Sequence, residues 1–192
     1  MYKNYHLSEL QHRIAAFDDQ LAYKELFLRF QPRLRQFVYS IIHSQEASEE
    51  IVSDVFVRIW EKRKTLDHIH NLKLYLYVAA KNFSINHKRR EDRMHTLELN
   101  DLKVEIESLD QNPHQLMIAG ETLWHIQEAV RQLPPKCKII FKLVKEDGLR
   151  QKEVAELLHL SPKTVENQLA VAVKKIGQSL LLHTGELSAV KS

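Results

Sequence analysis

Polar side chains on either side of Val165 have the types and spacing of a surface that binds DNA bases. Asn167 can pair with adenine, Glu166 can accept from a cytosine amino group, and Ala170 can contact a thymine methyl group. Lys163 can neutralise a phosphate. Alternatively, Glu166 holds Lys163 or a neighbouring base-reading side chain in place. The candidate DNA-binding residues of this segment are Lys163, Thr164, Glu166, Asn167, Ala170 and Lys174.

Two short helices joined by a tight turn are predicted to position these side chains within residues 149–168. In the first helix, Val154, Ala155 and Leu158 form an apolar stripe with the period of an amphipathic helix. His159 lies at the turn, where a helix-turn-helix usually has Gly. His adopts positive φ more often than most residues, so the turn is still expected to form.

The start of the second helix is clearly marked. Ser161 can cap its N-terminus and Pro162 suits its first position, where a missing N–H costs nothing. Val165 and Leu169 are then expected to face inward, which leaves the candidate DNA-binding residues outside. The pattern predicts a DNA-binding helix-turn-helix; an ordinary helical hairpin with a charged outer face is the alternative.

Helical periodicity also organises the N-terminal half. The first predicted helix begins at Asp18 or Asp19, and Pro32 should kink or divide it because proline removes a backbone donor. A polar turn, residues 66–71, precedes the third helix. The predicted helices cover about residues 18–43, 45–62 and 72–90.

The third of these helices has the chemistry to bind an opened DNA strand. Its lysines and arginines can neutralise phosphates, and its two asparagines offer paired donors and acceptors to a base edge. These candidates are Lys81, Asn82, Asn86, Lys88, Arg89 and Arg90. The residues expected to be buried form two rows, Leu74, Val78 and Ile85, and Tyr75, Ala79 and Phe83.

Charge is unevenly distributed along the 192 residues, although the net charge is only +3. Residues 1–95 contain 16 basic and 12 acidic side chains, residues 96–120 contain 1 and 5, and residues 121–192 contain 11 and 8. Two basic modules flanking an acidic connector suit two nucleic-acid-binding modules better than a membrane-surface protein. Beyond the connector, further helices are predicted over about 121–133 and 136–145, separated by Pro134-Pro135.

Several classes of protein are disfavoured by composition. Cys137 is the single cysteine, which excludes an internal disulfide and favours a small buried side chain among Ile139, Ile140 and Leu143. The N-terminus is polar rather than a secretory leader, and no apolar run reaches the ~20 residues that cross a bilayer. A cytoplasmic protein is therefore expected.

Together these features resemble the extracytoplasmic-function (ECF) group of the bacterial sigma-70 family. The resemblance spans about residues 18–183 and rests on ASEEIVSDVFVRIW (47–60), LYLYVAAKNFSIN (74–86), LPPK (133–136), Val154-Ala155 and Thr164-Val165, in that order. It implies an all-α fold with two helical domains joined by a linker. It divides the chain into sigma domain 2 at 1–92, an acidic linker at 93–119 and sigma domain 4 at 120–192.

The resemblance also implies roles for particular residues. The 149–168 segment would contact the promoter minus-35 element, and the third helix with the loop before it would contact the minus-10 element. That loop, residues 66–71, would hold a flipped base; solvated histidines are the alternative. The loop candidates are His68, His70 and Asn71, and the polymerase-binding candidates are Asp54, Val55, Arg58, Ile59 and Trp60.

Partners follow from the same resemblance. Core RNA polymerase, promoter DNA and an anti-sigma factor are implied, with no small-molecule substrate, cofactor or metal. The acidic linker would run through the polymerase channel; a disordered tether is the alternative.

Two other classes of function compete with this interpretation. An enzyme built on acid-x-x-His metal pairs would need them to face inward from long packed helices, and Glu9/His12, Asp92/His95 and Glu156/His159 are poorly placed for that. A stand-alone helix-turn-helix regulator would need a receiver domain, a ligand pocket or a dimer interface in the N-terminal half. Neither class is favoured by the pattern.

Overall fold

The computed structural model describes the backbone of residues 5–94 and 121–189, and the side chains of residues 5–91 and 124–181. Regular structure within these ranges is entirely helical, which confirms the all-α prediction. The chain divides into two compact units, Met1–Glu105 and Ile106–Ser192. Most of the predicted linker, from residue 95 onward, lies outside the described residues.

The N-terminal unit is a bundle of helices around an apolar core. Helix α2 packs against α1, α3 and α4, and a 3₁₀ segment, Arg63–His68, packs against α1. Its helices are α1 (Leu7–Phe17), α2 (Gln20–Ile42), α3 (Gln45–Glu61) and α4 (Leu72–Met94). Its largest fully buried side chains include Leu10, Ile14, Leu26, Leu34, Phe56, Leu76 and Tyr77.

Helix boundaries in this unit follow from local capping. Asp18 ends α1 in the left-handed conformation, with φ 52°, and Asp19 then caps α2 by accepting from the backbone N–H groups of Leu21 and Ala22, both at 3.0 Å. Ser44 caps α3 through a bond from Ala47 N–H at 3.2 Å. Short polar side chains thus satisfy donors that a helix start leaves open.

The structure corrects two expectations about the first 43 residues. Helix α1 was not predicted, although Leu10, Ile14 and Ala15 are buried. Helix α2 continues through Pro32, so of the two expected outcomes, a kink or a division, the division does not occur. Pro32 and Leu28, whose carbonyl loses its donor, are both exposed, so water can replace the missing hydrogen bond.

Helix α4 buries a different face from the one predicted. Its buried side chains are those of Leu72, Leu76, Tyr77, Ala80 and Ser84. Val78 is exposed, and the other residues of the two predicted rows, Leu74, Ile85, Tyr75, Ala79 and Phe83, are half-buried. Apolar residues surround the first half of this helix, so periodicity alone could not select the face. The helix also extends to Met94, which places the first two predicted linker residues inside it.

The C-terminal unit also consists of helices within its described part. Helix α6 passes into a π-helical turn, Lys142–Glu146, and Gly148 follows with φ 67°. Its helices are α5 (Glu121–Arg131), α6 (Pro135–Phe141), α7 (Gln151–Leu158) and α8 (Pro162–Ala189). One core cluster comprises Ala129, Val130, Leu133, Cys137, Ala172 and Ile176.

Cys137 is buried within that cluster as a free thiol. Its Sγ donates to the backbone carbonyl of Gln168 at 3.1 Å. Burial raises the pKa of this thiol. The prediction of a small buried side chain is confirmed.

Candidate nucleic-acid and polymerase interface

The turn between α7 and α8 has the geometry of a helix-turn-helix. His159 adopts the left-handed conformation with φ 52°, and Leu160 N–H donates to the carbonyl of Ala155 at 2.8 Å. His159 N–H donates to Glu156, so the last carbonyls of α7 are satisfied in a Schellman arrangement. Within α7 the structure corrects one position: Leu157 is buried, and Leu158 is only half-buried.

Helix α8 begins as predicted and presents most of its candidate DNA-binding residues to solvent. Ser161 Oγ accepts from Thr164 N–H at 3.0 Å, and Val165 and Leu169 are buried. Thr164 is half-buried, with its hydroxyl 2.8 Å from that of Ser161. The exposed candidates are Lys163, Glu166, Asn167, Ala170 and Lys174.

Two of these exposed residues form an ion pair. Lys163 Nζ lies 2.9 Å from Glu166 Oε2, one turn further along α8. Such an exposed pair contributes little to stability. Its geometry agrees with the alternative that Glu166 orients Lys163, and a direct contact of Glu166 with cytosine would require the pair to separate.

The loop before α4 is anchored by a buried leucine and a helix cap. Leu66 is fully buried, whereas His68 and His70 are exposed. Asn71 Oδ1 accepts from Leu74 N–H at 3.0 Å and so caps α4. The two histidines are therefore available to a ligand, while Asn71 already has a structural role.

Polar and basic side chains follow one side of α4 from this loop. Asn82 and Asn86 are one turn apart and exposed, as are Arg89 and Arg90 in the next turn. Lys81 and Lys88 flank them and are half-buried; partial burial lowers the pKa of Lys81. The two amides and the two arginines of this predicted set thus share one exposed face in the second half of α4.

Only part of the predicted polymerase-binding set is accessible on α3. Val55 and Ile59 are each 1% exposed and belong to the core of the unit. Asp54 and Arg58 are exposed, and Arg58 Nη1 bonds to Glu61 Oε2 at 3.2 Å. Arg58 is therefore paired with Glu61 on the surface of α3.

Trp60 is half-buried at the end of α3 and held on two sides. Its ring lies 4.8 Å from that of Tyr23, and the Arg63 guanidinium lies 4.6 Å from its centre. Burial raises the pKa of Tyr23 to about 12, and its hydroxyl donates to the carbonyl of Phe56 at 2.7 Å. These contacts hold the half-buried ring of Trp60 against Tyr23 and Arg63.

Models of two conserved regions match the chain in order. The model described as Sigma-70 region 2 matches residues 26–94, and the model described as Sigma-70, region 4 matches residues 124–176. Over 158 residues the chain is 21% identical to the ECF RNA polymerase sigma factor SigW of Bacillus subtilis (strain 168), covering 79% of this chain and 84% of the relative. The chain belongs to the ECF group of the sigma-70 family.

One solved structure supports the same fold for this sigma factor. Sigma factor RpoE, solved with the anti-sigma factor NepR from Bartonella quintana, has a TM-score of 0.53 at 20% identity, over 82% of this chain and 96% of that one. CnrH, solved with the cytosolic domain of CnrY, has a TM-score of 0.49 at 20% identity, over 92% and 97%.

The region 2 match also decides between the competing classes of function. It accounts for the N-terminal half as a sigma domain, which a stand-alone helix-turn-helix regulator would lack. The sigma-70 family regulates transcription and is not a family of catalysts.

Among the described residues no group of three or more His, Cys, Asp or Glu side chains could hold a metal ion, and none of the described helices is long and apolar enough to span a bilayer.

Two residues beside these surfaces were missed by sequence reasoning. Val57 is 56% exposed on α3 between Asp54 and Arg58, where the available signal was an apolar residue on an otherwise polar row. Gln11 contacts the loop before α4 from helix α1. Its contact joins residues 55 or more positions apart in sequence, so no local pattern could have revealed it.

Proposed function

We propose that this sigma factor directs promoter-specific initiation through three separate surfaces of its described residues. Helix α8 contacts the minus-35 element, helix α4 with its preceding loop contacts the minus-10 element, and the outer side of α3 binds core RNA polymerase. The observation that supports this proposal is that each unit has a helix with exposed amide and basic side chains. Contact with two separate promoter elements requires such a surface on each unit. The family assignment supplies the context for each surface.

At the minus-35 element, α8 enters the major groove with Asn167 and Ala170 toward the bases. Asn167 reads adenine through its amide, and Ala170 lies against a thymine methyl group. Lys163 and Lys174 neutralise phosphates. Thr164 supports the helix start through Ser161, and Glu166 orients Lys163 in the geometry of the free protein.

At the minus-10 element, the loop and α4 act on an opened strand. His68 and His70 flank a base that has left the stack, where an imidazole can both stack and form hydrogen bonds. Asn71 positions the start of α4 by capping it. The phosphate and base-edge contacts come from Lys81, Asn82, Asn86, Lys88, Arg89 and Arg90.

For polymerase binding we retain Asp54, Arg58 and Trp60 and add Val57. Val55 and Ile59 are left out because they are buried in the unit and support the helix from within. An exposed valine one turn from Asp54 suits an interface, whose centre is usually apolar. The half-buried ring of Trp60 adds an aromatic anchor.

The remaining features of the proposal concern partners and location. The RpoE structure contains an anti-sigma factor, and we propose that a protein of that kind covers the polymerase-binding surface of this chain. The protein acts in the cytoplasm, where transcription takes place, and performs no catalytic step of its own. The acidic segment at 93–119 connects the two promoter-binding units.

Run-off transcription with core RNA polymerase tests the proposal. We expect specific transcripts from promoters of the source genome only when this chain is added. The free chain should bind the same duplexes weakly. Absence of stimulation on every template, with a control sigma factor active in the same assay, would overturn the proposal.

A further inference from the structure

Helix α1 lies against the loop that precedes α4. Leu10 and Ile14 of α1 are fully buried, as is Leu66 of the 3₁₀ segment on which the helix packs. The region 2 match begins at residue 26, so α1 lies outside it. The helix thus lies outside the matched residues and packs on the loop that we propose for minus-10 contact.

Polar contacts from α1 hold the centre of this loop. Gln11 Nε2 donates to the carbonyl of Leu66, and at 2.8 Å to the carbonyl of Ile69. Ile69 N–H donates to the same Leu66 carbonyl at 2.9 Å, which closes the turn beside His68 and His70. His12 Nδ1 lies 3.0 Å from Asp67 Oδ2.

The end of α1 holds the start of the same segment. The Asp18 carboxylate accepts from Arg63 Nε, and at 2.8 Å from Lys64 Nζ. Arg63 in turn lies over the ring of Trp60, at the end of α3. One helix therefore connects the polymerase-facing end of α3 with the histidine-bearing loop.

We infer that α1 is a positioning element for minus-10 recognition, with Gln11 as its main positioning residue. Two backbone carbonyls that point at one amide nitrogen require a donor at position 11. Without it, the turn that carries His68 and His70 loses its fixed geometry. The inference rests on the proposed function of that loop.

Isosteric substitutions on α1 test the role of the donor. Gln11→Glu keeps the shape but places an acceptor against two carbonyls, and Gln11→Lys keeps a donor. Glu9→Gln, at an exposed position two residues away, is the matched control. The assay is run-off transcription with core polymerase on templates carrying each of the four bases at every minus-10 position.

We expect Gln11→Glu to reduce discrimination about tenfold at one minus-10 position. Minus-35 preference and core affinity should be unchanged, because neither uses the loop. Gln11→Lys should retain most of the discrimination, and Glu9→Gln all of it. Should Gln11→Glu unfold the unit, Gln11→Ala removes the donor without adding charge and should give the same change. Wild-type base preference in the folded variants would overturn the inference.

Amide hydrogen exchange on the free full-length chain separates this inference from the function on which it rests. Gln11→Glu should accelerate exchange of the Ile69 amide at least tenfold, with amides of α8 unaffected. Unchanged exchange would overturn the positioning role, whatever the transcription result. If the wild-type chain fails to stimulate transcription while the exchange effect appears, it is the proposed function that fails.

Discussion

His159 occupies a backbone position whose conformation favours glycine, because a β-carbon is crowded there. Its φ of 52° is strained for most side chains, and it ends α7 in the turn that sets the angle to α8. The sequence identified this position because the helix-turn-helix pattern usually has Gly there. The observed conformation confirms that the turn forms with His.

Replacing His159 with Gly should stabilise the C-terminal unit. Relief of left-handed strain outweighs the added freedom of the unfolded chain, for a net gain of about 0.5–1 kcal/mol. Denaturant unfolding monitored on this unit measures the change. Glu156→Gly, at an exposed position inside α7, is the control and should destabilise by about 1 kcal/mol. A lower midpoint for His159→Gly would show that the imidazole contributes a stabilising contact.

Asn167 is the residue for which the proposed minus-35 contact is most specific. Asn167→Ala should weaken selection of the upstream element by about 1–3 kcal/mol, the range of one bidentate base contact. Competition transcription between promoters that differ only at minus-35 measures this preference. Gln178→Ala, exposed three turns further along α8, should leave it unchanged. An unaltered preference in Asn167→Ala would remove this residue from the interface.

Residue types alone could not decide which candidates are accessible. Val55, Ile59 and Val57 are all aliphatic and lie on one helix, yet two are in the core and one is exposed. That difference depends on how α2 and α4 pack on α3. Which acidic residue pairs with Arg58 likewise depends on side-chain conformations, and residue spacing does not determine these.

Helix boundaries could be predicted from the sequence where the helix ends contain residues that cap or terminate a helix. Asp19, Ser161 and Pro134-Pro135 marked helix boundaries correctly because each changes the hydrogen bonding of a terminus. The prediction of which face of α4 is buried was wrong because apolar residues surround the first half of this helix. Helix α1 was missed because its start has no capping side chain: His6 precedes it and makes no cap hydrogen bond.

The cap of α2 should make the N-terminal unit sensitive to acid. The Ala22 N–H bond, followed by Arg13 Nε at 2.7 Å, lowers the pKa of Asp19 below its usual 3.8. Because the folded pKa is depressed, this stabilisation is complete above pH 3.8 and is lost as pH falls through the folded pKa. Asp19→Ala should cost about 1–2 kcal/mol at pH 7.

Denaturant unfolding at several pH values measures this contribution. The difference between wild type and Asp19→Ala should shrink as pH falls below 3.8, where the unfolded chain binds the proton first, and should vanish once the folded carboxylate is also protonated. Glu9→Ala on α1 is the control and should show little effect. A difference that stays constant down to pH 2 would assign the loss to packing rather than to the charged cap.

Helix α3 allows the polymerase surface to be tested without disturbing the core. Val57→Glu adds charge at the centre of the proposed interface and should weaken core polymerase binding at least tenfold, or about 1.4 kcal/mol. Leu28→Glu is a matched control, because Leu28 is 58% exposed and Val57 56%. Affinity is measured by titration of labelled chain with core enzyme. Equal losses in both variants would contradict a specific role for Val57.

For the whole molecule, charge and order of motifs predicted the architecture better than any single motif did. The helix-turn-helix alone was compatible with many regulators. An acidic stretch between two basic modules, together with the ordered motifs, indicated two domains of an ECF sigma factor, which the two region models and the similarity to SigW support. Contacts between residues distant in sequence, such as Gln11 with Leu66, could not be predicted from the sequence pattern.

Two promoter contacts carried by separate units should contribute independently to promoter selection. Asn82 belongs to the N-terminal unit and Asn167 to the C-terminal unit, and each unit has its own core. The losses from Asn82→Ala and Asn167→Ala should therefore add within about 0.5 kcal/mol in the double variant. Open-complex formation on one promoter, measured for the four proteins with saturating core polymerase, completes this cycle. Coupling above about 1 kcal/mol would mean that engagement of one element controls engagement of the other, and that the two surfaces bind as one cooperative site.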